Sequence, residues 1–239
     1  MAQPGQAPLV SCILPTRERR LFVAQAVGYF LRQDYPRREL IVVDDGDDPV
    51  ADLLPEAANV RYLRVSRRLS LGAKRNVACA AAAGRVIVHW DDDDWIAPWR
   101  IRYQVRHLLE RRGDVCGLRE VVHLDPIGQR AWRFVYPRHA KAWVAGGTLC
   151  YTRALWQRNR FDNVDVGEDS GFLWSGRPRR VLALPDSSFY VALVHPGNTS
   201  PKRTDGQWWH AVGMGQVLAQ LGSDRQFYTE LPARLAGRA

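Results

Sequence analysis

The sequence predicts an α/β protein whose first half is a doubly wound, mostly parallel β-sheet. Short apolar runs of strand length alternate with segments of helical periodicity through about the first hundred residues. Because neighbouring parallel strands must be joined by crossovers, this alternation is typical of a parallel sheet with helices on both faces. Three of the apolar runs also end at polar residues, as strands do where they border a ligand crevice.

The first strand is predicted at residues 9–14, an apolar run that ends before a proline. Residues 21–32 place apolar side chains on one helical face and form the first predicted helix. A second apolar run at residues 40–43 and an alternating segment at residues 60–65 are predicted as the second and third strands. A strand–helix–strand order of this kind begins a doubly wound sheet.

The next helix is predicted at residues 71–83, with Ser70 as its N-cap and Gly84 closing its C-terminus. A fourth strand at residues 85–90 runs directly into four consecutive aspartates. A proline then opens an amphipathic helix at residues 99–112.

The sequence of the second half predicts a mixture of strands and helices, which should form the wall opposite the first sheet. Residues 114–124 and 129–136 flank a turn sequence and are predicted to pair as a β-hairpin. The remaining predicted elements are a strand at 146–151, a short helix at 168–175, strands at 181–184 and 188–194, and a helix at 206–221.

The composition is that of an ordinary globular protein, with 46% hydrophobic and 25% charged residues. No run approaches the ~18 apolar residues of a membrane-spanning helix. The N-terminus has neither the basic start nor the apolar core of an export signal, so we expect no transmembrane segment and a cytoplasmic location. Four cysteines lie far apart in apolar runs, which is typical of buried free thiols: Cys12, Cys79, Cys116 and Cys150.

The net charge is +9, and nearly all of the positive charge is arginine, since only three lysines are present. Arginine suits planar, bidentate contact with phosphate. Such a charge is compatible with nucleic acid, a membrane surface or phosphorylated small molecules as partners. Because the basic residues are scattered along the chain, a solvated arginine-rich surface is favoured over a nucleic-acid-binding tract.

Polar and acidic residues follow three of the predicted strands. They are Pro15-Thr16-Arg17, Asp44-Asp45-Gly46 and the four aspartates at 91–94. Ligands of open parallel sheets bind outside the carboxyl ends of the strands, so these residues should share one crevice. Adjacent carboxylates repel each other unless a cation neutralises them, and Mn²⁺ or Mg²⁺ prefers such oxygen ligands. A metal–phosphate site is therefore favoured over a solvated acidic turn.

Two further motifs complete the pattern. A G-x-x-R-N motif begins at Gly72, and an acidic pair, Glu168-Asp169, is followed by two aromatic residues, Phe172 and Trp174. Together with the three strand-end segments, these motifs have the order and spacing of family 2 glycosyltransferases of the GT-A fold. The chain resembles this family over about residues 8–200.

The resemblance implies one domain over residues 1–239. It divides into a Rossmann-like, nucleotide-binding half at about 8–113, an acceptor and catalytic half at about 114–205, and a C-terminal helix and tail at about 206–239. The implied reaction moves a sugar from a nucleotide-diphosphate donor, with UDP-sugars favoured, to an acceptor hydroxyl. The acceptor stays open among a saccharide, a small molecule and a polyanion such as a nucleic acid, and the oligomeric state stays open as well.

The family pattern also implies a function for each matched residue. Asp44 would accept a hydrogen bond from the base, Asp91 would approach the ribose, and Asp93 would hold a Mn²⁺ or Mg²⁺ ion that stabilises the leaving diphosphate. His195 would be a further metal ligand, with a purely structural histidine as the alternative. The implied nucleotide-binding residues are Pro15, Thr16, Arg17, Asp44, Lys74, Arg75, Asp91 and Asp92.

Asp169 would be the general base that deprotonates the acceptor hydroxyl, with inversion at the anomeric carbon. Glu168 is the alternative base, and both acids would also be favourable simply as charges at a helix N-terminus. A weaker set of sugar or acceptor contacts consists of Gly146, Gly147, Asp94, Trp208 and Trp209. For the glycines a plain turn is the alternative, and for the tryptophans it is packing of the C-terminal helix.

Two departures from the family pattern bear on the identity of the nucleotide: Arg17 stands where many relatives carry asparagine, and Lys74 replaces a commoner alanine. Two other classes compete with the transferase. A nucleotidyltransferase would show a glycine-rich phosphate loop near the N-terminus, which the PTRERR segment lacks. A basic nucleic-acid-binding module or pseudo-enzyme is disfavoured because Asp93 and Asp169 are intact and no DNA-reading motif is present.

Overall fold

Two β-sheets with helices packed around them make up the part of the chain that the computed structural model describes, residues 7–176 and 179–236. The first half runs β1 (Val10–Thr16), α1 (Arg20–Leu31), β2 (Arg38–Asp44), β3 (Val60–Arg64), α2 (Leu71–Ala81), β4 (Val86–His89), β5 (Trp95–Ile96) and α3 (Arg100–Glu110). The second half runs β6 (Val115–Gly117), β7 (Glu120–Asp125), β8 (Arg130–Val135), β9 (Cys150–Thr152), α4 (Arg153–Arg158), α5 (Glu168–Trp174), β10 (Val181–Ala183), β11 (Tyr190–Leu193), β12 (Trp209–Ala211), α6 (Met214–Leu221) and α7 (Arg225–Ala236). Residues 1–6 and 237–239, which the predicted domain span and the expectation about export include, lie outside the described residues.

The first sheet confirms the predicted doubly wound, mostly parallel arrangement. Its seven strands lie in the order β10-β6-β9-β4-β1-β2-β3. Neighbouring strands are parallel except where β9 pairs with β4 and with β6. Consecutive side chains of β1 point to opposite faces, so that Cys12 and Leu14 pack with α1 and α3, whereas Ile13 packs with α2. Both faces of the sheet are therefore buried around β1, which is why the inner strands β1, β2 and β4 read as continuous apolar runs.

The second sheet is smaller and mostly antiparallel. Its five strands lie in the order β12-β8-β7-β11-β5, and the parallel pair is β11 with β7. Helix α6 packs against β7 and β8. None of the helices that the structure describes combines the length and the apolar character needed to cross a bilayer.

The structure corrects the predicted hairpin at one end. The strands β7 and β8 pair antiparallel, with Glu120 opposite Val135, as the turn sequence predicts. The predicted strand at 114–124, however, is two strands, because the chain leaves the first sheet after Gly117 and enters the second sheet at Glu120. An apolar run does not record which sheet its residues join, so periodicity alone misses this change.

The predicted C-terminal helix at 206–221 is wrong over its first half. Residues Trp209–Ala211 form the edge strand β12, with Trp209 opposite Phe134, and the helix begins only at Met214. A second C-terminal helix, α7, follows and has no counterpart in the prediction. Cross-strand packing of the two aromatic side chains outweighs the local helical pattern.

Helix α2 matches the prediction at its start and differs at its end. Ser70 caps it as predicted, since its Oγ accepts from the Ala73 N–H at 3.3 Å. The helix ends at Ala81, so Gly84 does not close it. Gly84 instead permits close approach of β1, because a Cβ at this position would lie 2.6 Å from Ser11 Oγ.

Candidate active site

A cavity of 780 Å³ opens between the carboxyl ends of β1 and β4 and one face of the second sheet. Its volume lies in the upper part of the range of about 300–1,000 Å³ for small-molecule sites. The lining includes most of the predicted site residues: Pro15, Thr16, Arg17, Lys74, Arg75, the four aspartates at 91–94, Gly146, Gly147, Glu168, Asp169 and Trp209. Asp44, His195 and Trp208 lie outside this lining.

Arg19 neutralises the middle of the acidic run. Its Nη1 donates to Asp92 Oδ1 at 2.8 Å and to Asp93 Oδ2 at 2.6 Å, and Thr16 Oγ1 donates to Asp92 Oδ2 at 2.7 Å. Burial raises the pKa of Asp92, and the Arg19 charge opposes that rise. Burial also acts upward on the pKa of Asp93, but a hydrogen bond from His195 and the Arg19 charge outweigh it and lower this pKa. The repulsion between these neighbouring carboxylates is thus met by a cation of the chain itself.

Asp94 connects the two sheets. The Tyr190 hydroxyl donates to Asp94 Oδ2, and the Leu193 N–H donates to Oδ1 at 2.8 Å. Burial, together with the charges of Asp93 and Asp91, raises the pKa of Asp94 well above its ordinary value. Both of its oxygens are therefore engaged by β11, and its sugar contact stays a prediction.

Arg75 pairs with Glu168 on the cavity lining. Its Nη1 donates to Glu168 Oε1, and its Nη2 lies 3.4 Å from Asp91 Oδ1. The side chains of Arg75 and Glu168 are 3% and 5% exposed, whereas that of Asp91 is 26% exposed. Burial raises the pKa of Glu168, and the Arg75 charge opposes the rise. Glu168 is therefore engaged by a buried arginine, while Asp91 reaches the cavity.

Asp169 is the more accessible member of the acidic pair. It is half-buried at the first turn of α5, where its Oδ1 accepts from the Ser170 N–H at 2.7 Å. Its other oxygen lies against Gly146, where any Cβ would collide with the carboxylate. Among the described residues Asp169 forms no ion pair. Its position places a carboxylate on the cavity lining, and its function as base stays a prediction.

The loop before β9 is a turn and not the beginning of a strand. The predicted strand at 146–151 starts only at Cys150, because Gly146–Thr148 forms a 3-10 turn. Buried Arg100 donates to the Gly147 carbonyl at 2.8 Å and holds this turn beside the strand ends. A strand would carry the backbone away from the acidic run, so the turn is what brings both glycines to the cavity.

The G-x-x-R-N motif serves two purposes. Gly72 and Asn76, at the two ends of the motif, lie against the segment before α5. The Asn76 side chain donates to the Phe161 carbonyl at 2.8 Å and accepts from the Phe161 N–H at 3.1 Å. Lys74 turns the other way, and its Nζ donates to Asp45 Oδ1 at 2.8 Å. The middle of the motif therefore points to the strand ends, and its outer residues position the segment that leads to α5.

Asp44 is fully buried and saturated with donors. Its carboxylate accepts from the N–H of Gly46 at 2.9 Å, from the N–H of Val50 at 3.1 Å and from the Tyr62 hydroxyl at 2.8 Å. The structure therefore places Asp44 behind the cavity, where it shapes the loop after β2. Its contact with the base stays a prediction.

His195 meets Asp93 from the loop after β11. Its Nε2 lies 3.1 Å from Asp93 Oδ2, and its Nδ1 accepts from the Gly197 N–H at 3.2 Å, so the neutral ring carries its proton on Nε2. The ring also packs on Phe22, with centroids 4.8 Å apart. Across the described ranges, no three His, Cys, Asp or Glu side chains gather into a metal site. The two predicted metal ligands are therefore neighbours, joined by a hydrogen bond.

The predicted tryptophan pair is divided between two environments. Trp209 lines the cavity beside Phe134, with ring centroids 5.0 Å apart. Trp208 is 40% exposed and lies off the lining, where it packs on Tyr136 and meets the Phe134 ring edge-on at 6.3 Å. Trp209 begins β12, whose pairing places it opposite Phe134, whereas Trp208 belongs to the turn before that strand.

Sequence reasoning misses three groups of the site. The position of Arg19 could have been predicted from the sequence. It follows the first strand by three residues, and the fourth strand ends in four aspartates that need a cation. Tyr190 and Phe134 have no such signal, because each is an aromatic residue in an apolar run whose face is set by pairing with other strands. Strand register therefore decides which aromatic side chains reach the cavity.

Comparison with known proteins gives a consistent result. A sequence model of the family described as "Glycosyl transferase family 2" matches residues 11–162. The Escherichia coli UDP-Glc:alpha-D-GlcNAc-diphosphoundecaprenol beta-1,3-glucosyltransferase WfgD is 28% identical over 176 residues, which cover 70% of this chain and 68% of the relative. The chain spans less than half the length of most of the curated relatives that it matches.

Two solved structures share the fold. Staphylococcus aureus TarS 1-349 in complex with UDP has a TM-score of 0.59 and 21% identity, over 79% of this chain and 61% of that chain. The mannosyltransferase PcManGT from Pyrobaculum calidifontis, in complex with GDP-Man and Mn²⁺, has a TM-score of 0.60 and 21% identity, over 84% and 59% of the two chains. At this level of identity the likeness shows the GT-A fold.

Proposed function

The chain belongs to glycosyltransferase family 2, and from this premise we propose that it transfers a sugar from a nucleotide-diphosphate donor, with UDP-sugars favoured, to an acceptor hydroxyl. The observation that carries the proposal is a single cavity that holds both basic side chains and an accessible carboxylate. Arg17 and Lys74 lie on its lining at the strand ends, and Asp169 lies on the same lining at the start of α5.

The strand-end side of the cavity is the proposed donor site. Arg17 is half-buried on the lining, and its planar guanidinium suits a phosphate. Asp91 is the most exposed carboxylate of the acidic run, as a contact with the ribose requires. A ligand in this position would lie outside the carboxyl ends of β1 and β4, where parallel sheets bind ligands. The complexes of TarS with UDP and of PcManGT with GDP-Man support a nucleotide-linked donor.

The residues present fit a divalent cation. Asp93 Oδ2 and His195 Nε2 converge to 3.1 Å, and a carboxylate oxygen and an imidazole nitrogen are both ligands that Mn²⁺ accepts. Arg19 already places a positive charge on Asp93 Oδ2, so this position stabilises a cation. We propose that Asp93 and His195 hold Mn²⁺ or Mg²⁺ and that Arg19 leaves Asp93 when they do. His195 then carries its proton on Nδ1, in place of the hydrogen bond from Gly197, so that Nε2 is free to bind the ion. The ion would supply positive charge to the departing diphosphate, and the Mn²⁺ complex of PcManGT supports this proposal.

Asp169 is the proposed general base. A bond forms between the acceptor oxygen and the anomeric carbon, while the bond from that carbon to the diphosphate oxygen breaks and its electron pair leaves with the nucleoside diphosphate. The proton of the acceptor hydroxyl passes to the Asp169 carboxylate. One displacement from the face opposite the leaving group inverts the anomeric carbon. Glu168 is less suited to this task, because the buried Arg75 already engages its carboxylate.

The proposal is tested by ligand-dependent melting followed by a donor screen. UDP or GDP with Mn²⁺ should raise the melting temperature, because a ligand that binds only the native state stabilises it. The same nucleotide with EDTA should raise it much less. The nucleotide that gives the larger shift then directs a screen of nucleotide-sugars, in which release of the nucleoside diphosphate is measured. If UDP and GDP with Mn²⁺ both leave the melting curve unchanged, the proposed donor site is wrong.

A further inference from the structure

One face of the second sheet lines the cavity opposite the strand ends. Side chains alternate along a strand, so this face is shared by Val121 and His123 of β7, Phe134 of β8, Ala192 of β11 and Trp209 of β12. Trp143 joins them from the loop that precedes the Gly146–Thr148 turn. We call the rings of Phe134, Trp143 and Trp209 the aromatic wall.

The aromatic wall leaves ring surface open to the cavity. The Phe134 ring lies 5.0 Å from Trp209 at 54° and 5.8 Å from Trp143 at 76°, which are the tilted and edge-on arrangements that aromatic pairs favour. All three side chains are half-buried. A cluster needed only for packing would be covered, whereas contiguous aromatic surface inside a cavity is typical of a binding site.

The aromatic wall is tied to the proposed base. Trp143 Nε1 donates to Ser170 Oγ at 3.3 Å, and Ser170 is the residue after Asp169 on α5. Asp169 and the three wall residues line the same cavity, so a ligand that rests on the wall can reach the Asp169 carboxylate. An acceptor hydroxyl must reach that carboxylate to lose its proton to Asp169.

The border of the aromatic wall is polar and largely uncharged. Burial and the charge of Lys202 lower the pKa of His123 to about 3, so its imidazole is neutral at neutral pH. His123 Nδ1 lies 3.2 Å from the Val121 carbonyl and donates to it, which leaves Nε2 as an acceptor. Three further hydrogen-bonding side chains border the same cavity: Asn198, Thr199 and Ser200.

We propose that the aromatic wall is the acceptor subsite and that the acceptor is a saccharide, one sugar ring of which stacks on Trp209 and Phe134 and presents a hydroxyl to Asp169. The inference rests on the proposed glycosyltransferase function. A pyranose ring has an apolar C–H face and a border of hydroxyl groups, which match the ring faces and the neutral polar border respectively. A polyanion would need a row of cations here, and the described residues that line the cavity from this face of the second sheet include neither an arginine nor a lysine.

Two adjacent tryptophans provide a matched test. The full chain, fluorescently labelled and saturated with UDP and Mn²⁺, is applied to an array of neutral and anionic saccharides. Wild type and Trp208→Ala should bind the same neutral saccharide equally well, since Trp208 lies off the lining. Trp209→Ala should bind it about tenfold more weakly or worse, because it loses most of the apolar contact area of a stacked ring. The melting shift caused by UDP and Mn²⁺ should be the same in all three proteins.

A second variant controls for the chance that Trp209→Ala weakens binding only because the edge strand β12 no longer forms. Trp209→Leu keeps apolar volume in β12 but removes the flat ring, and it should show the same loss of saccharide binding. Three results would overturn the acceptor assignment in a wild-type chain that responds to UDP: equal binding by the Trp209 variants, binding confined to anionic saccharides, or no saccharide bound. A wild-type chain that does not respond to UDP or GDP would overturn the proposed function, and the acceptor inference with it.

Discussion

The two walls of the cavity are stabilised by different interactions. At the strand ends, buried basic side chains form ion pairs with one or two acidic side chains each. The pairs are Arg19 with Asp92 and Asp93, Arg75 with Glu168, and Lys74 with Asp45. The aromatic wall is held by ring packing, and Trp143 adds a single hydrogen bond to Ser170. Directional bonds between buried charges fix positions closely, whereas ring packing depends mainly on the area in contact.

This difference determines how each wall should respond to substitution. Removing one partner of a buried pair leaves the other charge without compensation, so effects at the strand ends should be large and specific. Reshaping an apolar surface changes the contact area gradually, so effects at the aromatic wall should scale with the area lost. A charged wall suits a chemical group that is the same in every donor, such as the diphosphate. An aromatic wall suits a ligand that is recognised by its shape.

The largest effect is expected where a charge is accessible and not paired. Asp169→Asn should lower the rate of sugar transfer by roughly 10²–10⁴-fold, because an amide does not accept the proton that a positioned base removes. The affinity for UDP with Mn²⁺ should be unchanged, since the donor side is intact. Steady-state kinetics with a saturating acceptor measures the first quantity, and calorimetric titration with UDP measures the second. Full transfer activity in Asp169→Asn would remove Asp169 as the base.

Glu168→Gln should act mainly on stability, although the two acids are adjacent. Loss of the Glu168 charge leaves Arg75 buried, and breaking a buried pair in this way costs about 3–5 kcal/mol. We expect the lower end, about 3 kcal/mol, because Asp91 stays 3.4 Å from Arg75. Urea unfolding measures the change. A variant that folds as stably as wild type yet transfers no sugar would show that Glu168, and not Asp169, is the base.

Asp93→Ala tests the proposed metal position. The loss of a direct ligand should weaken Mn²⁺ binding by more than the roughly 10–100-fold that loss of an outer partner costs. It should also abolish the difference between Mn²⁺ and EDTA in UDP-dependent melting. Like-charge crowding alone predicts that the variant is more stable, but Asp93 accepts from Arg19 and His195, so a loss of about 1–3 kcal/mol is expected. Unchanged Mn²⁺ affinity would place the metal elsewhere.

Arg19 and Arg20 form a matched pair of neighbouring arginines. Arg19 bridges Asp92 and Asp93, whereas Arg20 pairs with exposed Asp52 outside the cavity. Arg19→Gln should tighten Mn²⁺ binding by about tenfold, since the ion no longer displaces a cation from Asp93. Arg20→Gln should leave Mn²⁺ binding unchanged. Electron paramagnetic resonance of free Mn²⁺ measures both, and weaker binding in Arg19→Gln would mean that Arg19 supports the metal site and does not compete with it.

The smallest effect is expected behind the cavity. Tyr62→Phe removes one of three donors to Asp44 and should lower stability by about 1 kcal/mol, because the two backbone donors remain. UDP affinity should change little if Asp44 only shapes its loop. Urea unfolding and calorimetry give the two values. A large loss of UDP affinity with little loss of stability would bring Asp44 back to the base, as the family pattern implies.

Much of the first half could be predicted because its signals are local. The strands β1, β2 and β4 are buried on both faces, so each appears as an apolar run that ends at polar residues, whereas the edge strand β3 is half-buried and alternates apolar residues with Arg61 and Arg64. Once the strands are parallel, their carboxyl ends lie at one edge, and the strand-end residues must share a crevice. The cavity contains most of these residues because sheet geometry leaves them little choice.

The sequence does not predict which hydrogen-bond donor each carboxylate of the site binds. Asp44 and Asp45 are neighbours with identical chemistry, yet Asp44 binds Tyr62 and backbone donors, whereas Asp45 binds Lys74. Glu168 and Asp169 likewise differ only in which of them meets Arg75. Consecutive residues point in different directions, so one residue of register decides which carboxylate is paired and which is accessible.

The sequence by itself determined the α/β class, the family and the edge of the sheet at which the acidic residues meet, because apolar period and strand-end chemistry are properties of short segments. Only the tertiary structure decided that Arg19 lies between Asp92 and Asp93, and that Trp209 and not Trp208 faces the cavity. The physical reason is the same in both cases. A hydrogen bond or a ring contact acts over a few ångströms, and segments more than 70 residues apart come within that distance only after both sheets have formed.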